Sequence, residues 1–158
     1  MSRQYLTLTV GDIPRDQWVE RWPFVRLDQL NDEIVHMDVS TMNMFNRTCK
    51  YASERMKWNH RINSSYRAGD PKSHGKGKAL DVVFYRKKPG DVDVLEQLVF
   101  ALQFDWHGVG FYPYWNAPGL HLDMRIDNND YREIWWRDKR GVYHPGFSFI
   151  GTYRGEWT

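Results

Sequence analysis

Two short stretches of this 158-residue chain set an imidazole beside a carboxylate. In HGKGKALD, His74 and Asp81 are seven residues apart with Gly75 and Gly77 between them; in HLD, His121 and Asp123 are two apart. Glycine adopts turn conformations closed to other residues, so the loop can fold back and bring His74 toward Asp81 on the apolar run that follows. On a strand, residues two apart share a face, so His121 and Asp123 point the same way. Two imidazoles and a carboxylate suit Zn²⁺, which catalytic sites commonly hold with three protein ligands and a water. The plainer alternative for either pair alone is a structural hydrogen bond under a Gly-rich turn. Among the other histidines, His36 and His60 read as surface or core residues. His107, just before GVGFY, reads the same way, with a place beside the site as its alternative.

These groups need elements to hold them. Met42, Phe45, Cys49, Ala52 and Met56 recur at spacings of three and four, one apolar stripe of a helix, with Ser40 or Thr41 available as its cap. HRINSSYR predicts a strand ending near Arg67, AGDPKSHGKGK a polar loop, and ALDVVFY a buried strand. Pro89 and Gly90 break the chain before DVDVLEQLVFALQF, a second helix with Asp91 or Asp93 at its start. GVGFY and GLHLDMR predict two short strands, and HPGFSFIGTYR one more in the tail. The first 30 residues, with alternating YLTLTV and with Pro14 and Pro23, read as a short strand and an irregular arm. Helices then pack against one small antiparallel-rich sheet, an α+β fold. Trp135 and Trp136 are expected to cover that sheet, and DKR (138–140) to be a solvated turn.

Composition narrows the partners. The chain is long enough to bury a core as one domain. Its 22 Lys plus Arg are interspersed with 20 Asp plus Glu, so no basic stripe points to nucleic acid. No run approaches the roughly 20 apolar residues of a membrane span. Cys49 is the only cysteine, which excludes an intramolecular disulfide. Aromatics reach 16%, enough to serve both a core and a ligand-facing wall.

The motifs also occur in a familiar order. NSSYR, HGKGKALDV and GVGFYPYWNAPGLHLDMR together resemble the zinc D-alanyl-D-alanine carboxypeptidase family of bacterial and phage peptidoglycan peptidases, which shares its fold with the Hedgehog signalling domain. The family pattern runs S-x-x-R, H-x-x-G-x-A-x-D, G-V-G-x-Y, H-x-D. Here Ser64 and Arg67 carry the first motif, His74, Gly77, Ala79 and Asp81 the second, residues 108–112 the third, and His121 and Asp123 the last. The resemblance spans residues 63–125 and implies a Hedgehog/DD-peptidase-like fold with one Zn²⁺ per chain on His74, Asp81 and His121. It also implies that Arg67 faces the scissile carbonyl, where an oxyanion develops. Many relatives carry an acid three residues before the last histidine; here that position is Pro118. Asp123 is therefore the candidate general base, its alternative role being to orient His121 or pair with Arg125. Lys72 stands where relatives usually have serine, a role Ser73 can take. Tyr66, Ser73, Tyr112 and Trp115 are expected at the substrate, while Trp106 and Tyr114 either flank the cleft or pack in the core.

The implied organisation is one peptidase domain over 1–158, with an N-terminal arm (1–35), a motif-bearing core (38–126) and a C-terminal extension (127–158). The implied activity is hydrolysis of a peptidoglycan stem-peptide or cross-link amide, a D,D bond favoured and L-Ala–D-Glu the alternative. Peptidoglycan is the expected partner, with no nucleic acid, no membrane insertion and a monomeric state. MSRQYLTLTVGDIPRDQW lacks the apolar stretch of a signal peptide. That fits a phage lysin made in the host cytoplasm and passed to the wall, or one carried in the virion. Two rivals remain. His121, Asp123 and His144 formally fit the facial triad of non-heme iron oxygenases. A non-catalytic phage tail or wall-binding module could share the fold.

Overall fold

The structure, a computed structural model, describes residues 7–125, 132–146 and 148. Six strands form one sheet: β1 (Asn59–Ser64), β2 (Ala79–Tyr85), β3 (Gly108–Tyr112), β4 (Gly119–Asp123), β5 (Glu133–Arg137) and β6 (Tyr143–Pro145). Their spatial order is β1-β2-β4-β3-β5-β6, and every neighbouring pair is antiparallel except β3 with β5. Among the described residues, three α-helices accompany them: the single turn α1 (Trp18–Arg21), α2 (Val39–Tyr51) and α3 (Val94–Ala101).

Alternation along each strand divides the sheet into two chemically different faces. Leu80, Val82 and Phe84 of β2, Val109 and Phe111 of β3, and Leu120 and Leu122 of β4 are fully buried and share one core with Met42, Phe45 and Cys49 of α2 and Leu98 of α3. The intervening residues, Asp81, Gly108, Gly110, His121 and Asp123, therefore project to the opposite face. A one-residue slip in any of these strands would exchange the faces, so burial of the apolar set pins the polar one.

The helix ends show how the local sequence sets the boundaries. The cap of α2 is Asp38, not Ser40 or Thr41: its carboxylate accepts the Thr41 backbone N–H at 2.9 Å and the Thr41 hydroxyl at 3.0 Å. A carboxylate both satisfies a free N–H and meets the positive end of the helix, a combination a neutral hydroxyl lacks. The helical stripe runs on through a π turn, Ala52–Met56, before Lys57 stops it with φ 59°. Asp93 caps α3 through the Leu95 N–H, and Asp91 instead accepts the N–H groups of Arg86, Lys87 and Lys88. Buried Gln97 of α3 accepts the Phe84 N–H and donates to the Pro118 carbonyl, tying the helix to the sheet.

Both flanks differ from the sequence reading. Residues 7–37 are a chain of short helical turns, four of them 3-10 and one α1, in place of the irregular arm expected. Val10, Trp22, Leu30 and Ile34 are buried in the same core, and the Trp22 indole donates to Asn43 of α2 at 2.9 Å. The described part of YLTLTV makes one bridge, Thr9 to Asp38, and then a 3-10 turn (Val10–Asp12); Tyr5 and Leu6 lie outside the described residues. Strand β1 ends at Ser64 rather than near Arg67, after an irregularity between Ile62 and Ser64. On the other side, Trp135 and Trp136 do not cover the sheet but belong to it. Trp136 is buried in the core, and Trp135 lies on the polar face. Of the tail strand expected in HPGFSFIGTYR, only its first two residues fall in β6, and most of the remainder lies outside the described residues.

Candidate metal centre

Strand register assembles half of the site. Asp81 of β2 stands opposite His121 of β4, which stands opposite Gly110 of β3, which stands opposite Trp135 of β5. The next row along the same face holds Ala79, Asp123, Gly108 and Glu133. The two glycines of GVG are therefore both on the site face, and both are sterically required. A Cβ on Gly110 would sit 2.5 Å from the Trp135 indole nitrogen, and one on Gly108 would sit 2.6 Å from Asp123 Oδ1. The missing side chains let the indole and the carboxylate come close to His121, the indole centroid to 5.3 Å and the carboxylate within hydrogen-bond reach.

The third group arrives from the loop. His74 sits in a 3-10 turn (Ser73–Lys76) that ends at Gly77 with φ 67°. A Cβ on Gly77 would collide with the His36 carbonyl at 2.1 Å, and one on Gly75 with the Asp70 carbonyl. Only glycine lets the loop press against its neighbours closely enough to swing His74 over the sheet.

The donor atoms converge on one point. His121 Nδ1 is 3.0 Å from Asp81 Oδ1, His74 Nε2 is 3.3 Å from the same oxygen, and the two ring nitrogens are 3.1 Å apart. Ligands about 2.0–2.1 Å from a tetrahedral ion are themselves separated by about 3.3 Å, so the spacing fits a small cation. The hydrogen bonds on the far side of each ring reinforce this. His74 Nδ1–H donates to the Ser65 carbonyl at 2.5 Å, and His121 Nε2–H donates to Asp123 Oδ2 at 3.0 Å. A neutral imidazole carries one N–H, so both remaining nitrogens present bare lone pairs to each other and to a carboxylate oxygen. That arrangement calls for a positive charge at its centre. The buried His74, Asp81 and His121 group could hold a metal ion.

Burial raises the Asp81 pKa, but the two imidazoles against it outweigh burial and hold the carboxyl below the usual range, ionised and ready for a cation. Burial lowers the His121 pKa, yet the Asp123 and Asp81 carboxylates beside the ring win and make it more basic than usual. A ring made more basic by a carboxylate is a stronger ligand.

Asp123 makes the contacts expected of the second role weighed for it, a bond to His121 and a pair with Arg125. It has no exposure to solvent, and its oxygens accept from His121, from Arg125 Nη2 at 2.6 Å and Nε at 2.9 Å, from the Arg125 backbone N–H, and from Ser73 at 3.4 Å. A carboxylate so engaged bonds the imidazole on the side away from the three donor atoms and holds the ring in place. Burial raises the Asp123 pKa, but the His121 and Arg125 bonds overcome it and keep it ionised. Arg125 is itself clamped by Glu133 at 2.8 Å and lies 4.8 Å over the Trp135 ring.

Beside the cluster opens a cleft of about 1250 Å³. Arg67 lines it, half exposed, with Nη2 3.6 Å from Asp81 Oδ2 and Nε 3.7 Å from Asp70. Tyr112 lines it too; its phenol, kept neutral chiefly by burial, accepts from the Trp135 indole at 3.4 Å. Trp115 stacks on Tyr112 at 4.3 Å, backing that wall from behind and not among the residues lining the cleft. Ser73 is buried and spent on Asp123. Tyr66 departs from expectation: its ring packs 4.5 Å from His36 and against the core, away from the cleft. His107 is exposed and bonds the Arg125 carbonyl. The facial triad does not assemble, since His144 stacks on Trp136 and bonds Asp138 at 3.0 Å. The sequence reading does not place Trp135 or Glu133 at the site and names Arg125 only as a partner for Asp123, although the β-branched and aromatic residues of EIWWR are a strand signal.

Comparison of the chain with protein-family models, with curated proteins and with solved structures found no match.

Proposed function

We propose that this chain is a zinc-dependent peptidoglycan peptidase of the D-alanyl-D-alanine carboxypeptidase type, with the Hedgehog/DD-peptidase fold that the motif order implies. The observation that carries the reading is the meeting of three donor atoms from two separate motifs, 3.0–3.3 Å apart, at the floor of an open cleft. Zinc in such a site supplies Lewis acidity and a water ionised near neutral pH. The chain's own residues do the rest. His74 and His121 are fixed in the ligating tautomer by Ser65 and Asp123. Arg67, beside Asp81 on the cleft wall, offers a guanidinium to the oxyanion that forms when an amide carbonyl is attacked. Asp123 is the general base that the motif order suggests; the carboxylates that line the cleft itself are Asp70 and Glu133, paired with Arg67 and Arg125. The bond favoured is D,D, with L-Ala–D-Glu the alternative, and the setting is a phage lysin. Among the described residues no helix is long and apolar enough to cross a membrane.

One observation favours a second reading, a non-catalytic wall-binding module: Pro118 stands where relatives carry an acid, and its carbonyl only holds Gln97. Incubation with purified peptidoglycan separates the two. New free amines that disappear with a chelator support the peptidase. Sedimentation with the wall, independent of zinc and without cleavage, supports the module. Mass spectrometry of the digest identifies the bond.

A further inference from the structure

The two walls of the cleft differ in a way that the metal cluster does not require. One wall is the loop that carries His74, and it also presents Lys72, Lys76 and Lys78. None of these three has a side-chain hydrogen bond or ion pair among the described residues. The other cations of the lining are engaged: Arg67 with Asp70 and Asp81, Arg125 with Asp123 and Glu133, and Arg132 with the Leu102 and Phe104 carbonyls after α3. The opposite wall is apolar and aromatic, built by Ile134, Trp135, Tyr143 and Pro145 of the β5–β6 hairpin. Tyr143 is 57% exposed, with Arg137 5.5 Å over its ring, and Trp135 is half-buried, with Arg125 4.8 Å over its ring. Lysines without a side-chain partner on one side and an exposed tyrosine beside a half-buried tryptophan on the other suit an amphipathic, anionic ligand.

We propose that the cleft binds an acidic peptide, its side-chain carboxylates along Lys72, Lys76 and Lys78 and its apolar side chains against Trp135 and Tyr143. This rests on the reading of the cleft as a peptide site and adds the charge of the peptide. A peptide fits better than a phosphodiester polymer because Asp70 and Glu133 share the lining with the lysines. Discrete carboxylates can avoid those acids, whereas an evenly charged backbone meets them. Lysine suits the task, since its flexible stem lets a point charge follow carboxylates in more than one position.

The test measures binding in a chelator, where no hydrolysis occurs, so it can succeed or fail independently of the peptidase reading. The probe is a rhodamine-labelled, C-terminally amidated Phe-Glu-Ala-Glu-Ala, and its counterpart has Gln in place of both Glu residues. Fluorescence anisotropy is expected to show the Glu peptide binding several-fold more tightly, with the advantage shrinking as salt rises. The combined variant Lys72→Gln, Lys76→Gln, Lys78→Gln is expected to lose about tenfold in affinity, from exposed contacts worth up to about fivefold each. A control variant, Lys50→Gln, Lys87→Gln, Lys88→Gln, changes net charge equally at exposed positions elsewhere and is expected to bind like the parent. Equal affinity for the two peptides, or full binding by the cleft variant, overturns the proposal. Tighter binding of an oligothymidylate decamer than of the Glu peptide overturns the choice of a peptide.

Discussion

Replacing Asp123 by asparagine separates a positioning role from a catalytic one. In the parent, Oδ2 accepts from both His121 Nε2 at 3.0 Å and the Arg125 guanidinium at 2.6–2.9 Å, while Oδ1 accepts the Arg125 backbone N–H at 3.1 Å and Nε at 3.0 Å. An amide has one oxygen and one NH₂ to offer in these two places. If the NH₂ takes the place of Oδ2, it faces His121 Nε2, which must then accept; the ring proton moves to Nδ1 and the ligating lone pair is lost. If the NH₂ takes the place of Oδ1, it meets the Arg125 backbone N–H and Nε, donor against donor, and the charge pairing is gone. Either arrangement weakens the proposed centre. Loss of such a supporting group typically lowers metal affinity 10- to 100-fold, or about 1.4–2.7 kcal/mol. Competition for zinc against a chromophoric chelator reads this directly, with circular dichroism confirming the fold. An Asp123→Asn variant that binds zinc like the parent would refute the positioning argument. If that variant also lost all turnover, the general-base role would be reinstated.

Three further outcomes rest on the same geometry. His74→Ala, Asp81→Ala and His121→Ala are each expected to abolish stoichiometric metal binding. Zinc at 100 times its Kd stabilises the parent by about 2.7 kcal/mol, a Tm rise of about 5–10 °C, and these variants are expected to show none in a thermal scan. Arg67→Ala is expected to keep zinc and lose about 10²–10³ in turnover on muropeptides; a fully active variant removes Arg67 from the oxyanion. Gly108→Ala drives a methyl into the Asp123 carboxylate, so metal affinity and stability are both expected to fall, the latter by about 1–3 kcal/mol. Chemical denaturation measures it, and parent-like stability contradicts the close approach.

The remaining prediction concerns pH and lies outside the metal site. His60 is buried, and its Nε2 accepts the Arg26 backbone N–H at 3.1 Å. Burial first, and then the Arg26 charge, pull its pKa from 6.5 to about 4. The unfolded chain therefore binds this proton before the folded one does. The stability His60 provides is complete above pH 6.5 and drains away as pH falls toward 4, by about 3 kcal/mol in all. His60→Gln keeps an acceptor and cannot titrate, so it is expected to flatten that part of the urea-denaturation profile. A variant with the parent's slope rules His60 out as its source.

Much of the site was legible before any coordinates because its chemistry is written in local patterns. His74, Asp81 and His121 are the set that the motif resemblance implies, and they are the residues that meet. The strand period in HLD put His121 and Asp123 on one face, because residues two apart share a face whichever strand lies alongside. Residue types and periods thus determined the helices and most of the strands, and the resemblance named the donor set. Register and contact between distant segments decided the rest. Local sequence did not reveal that Gly110 makes room for Trp135, that the flank 7–37 fills the core, or that β5 joins β3 in parallel. Asp123 shows the division most clearly. The sequence placed it beside His121 with two roles open, and only the fold brings Arg125 and Ser73 to its oxygens and buries it completely. A carboxylate's function depends on which donors fill its lone pairs, and those donors are brought by the fold.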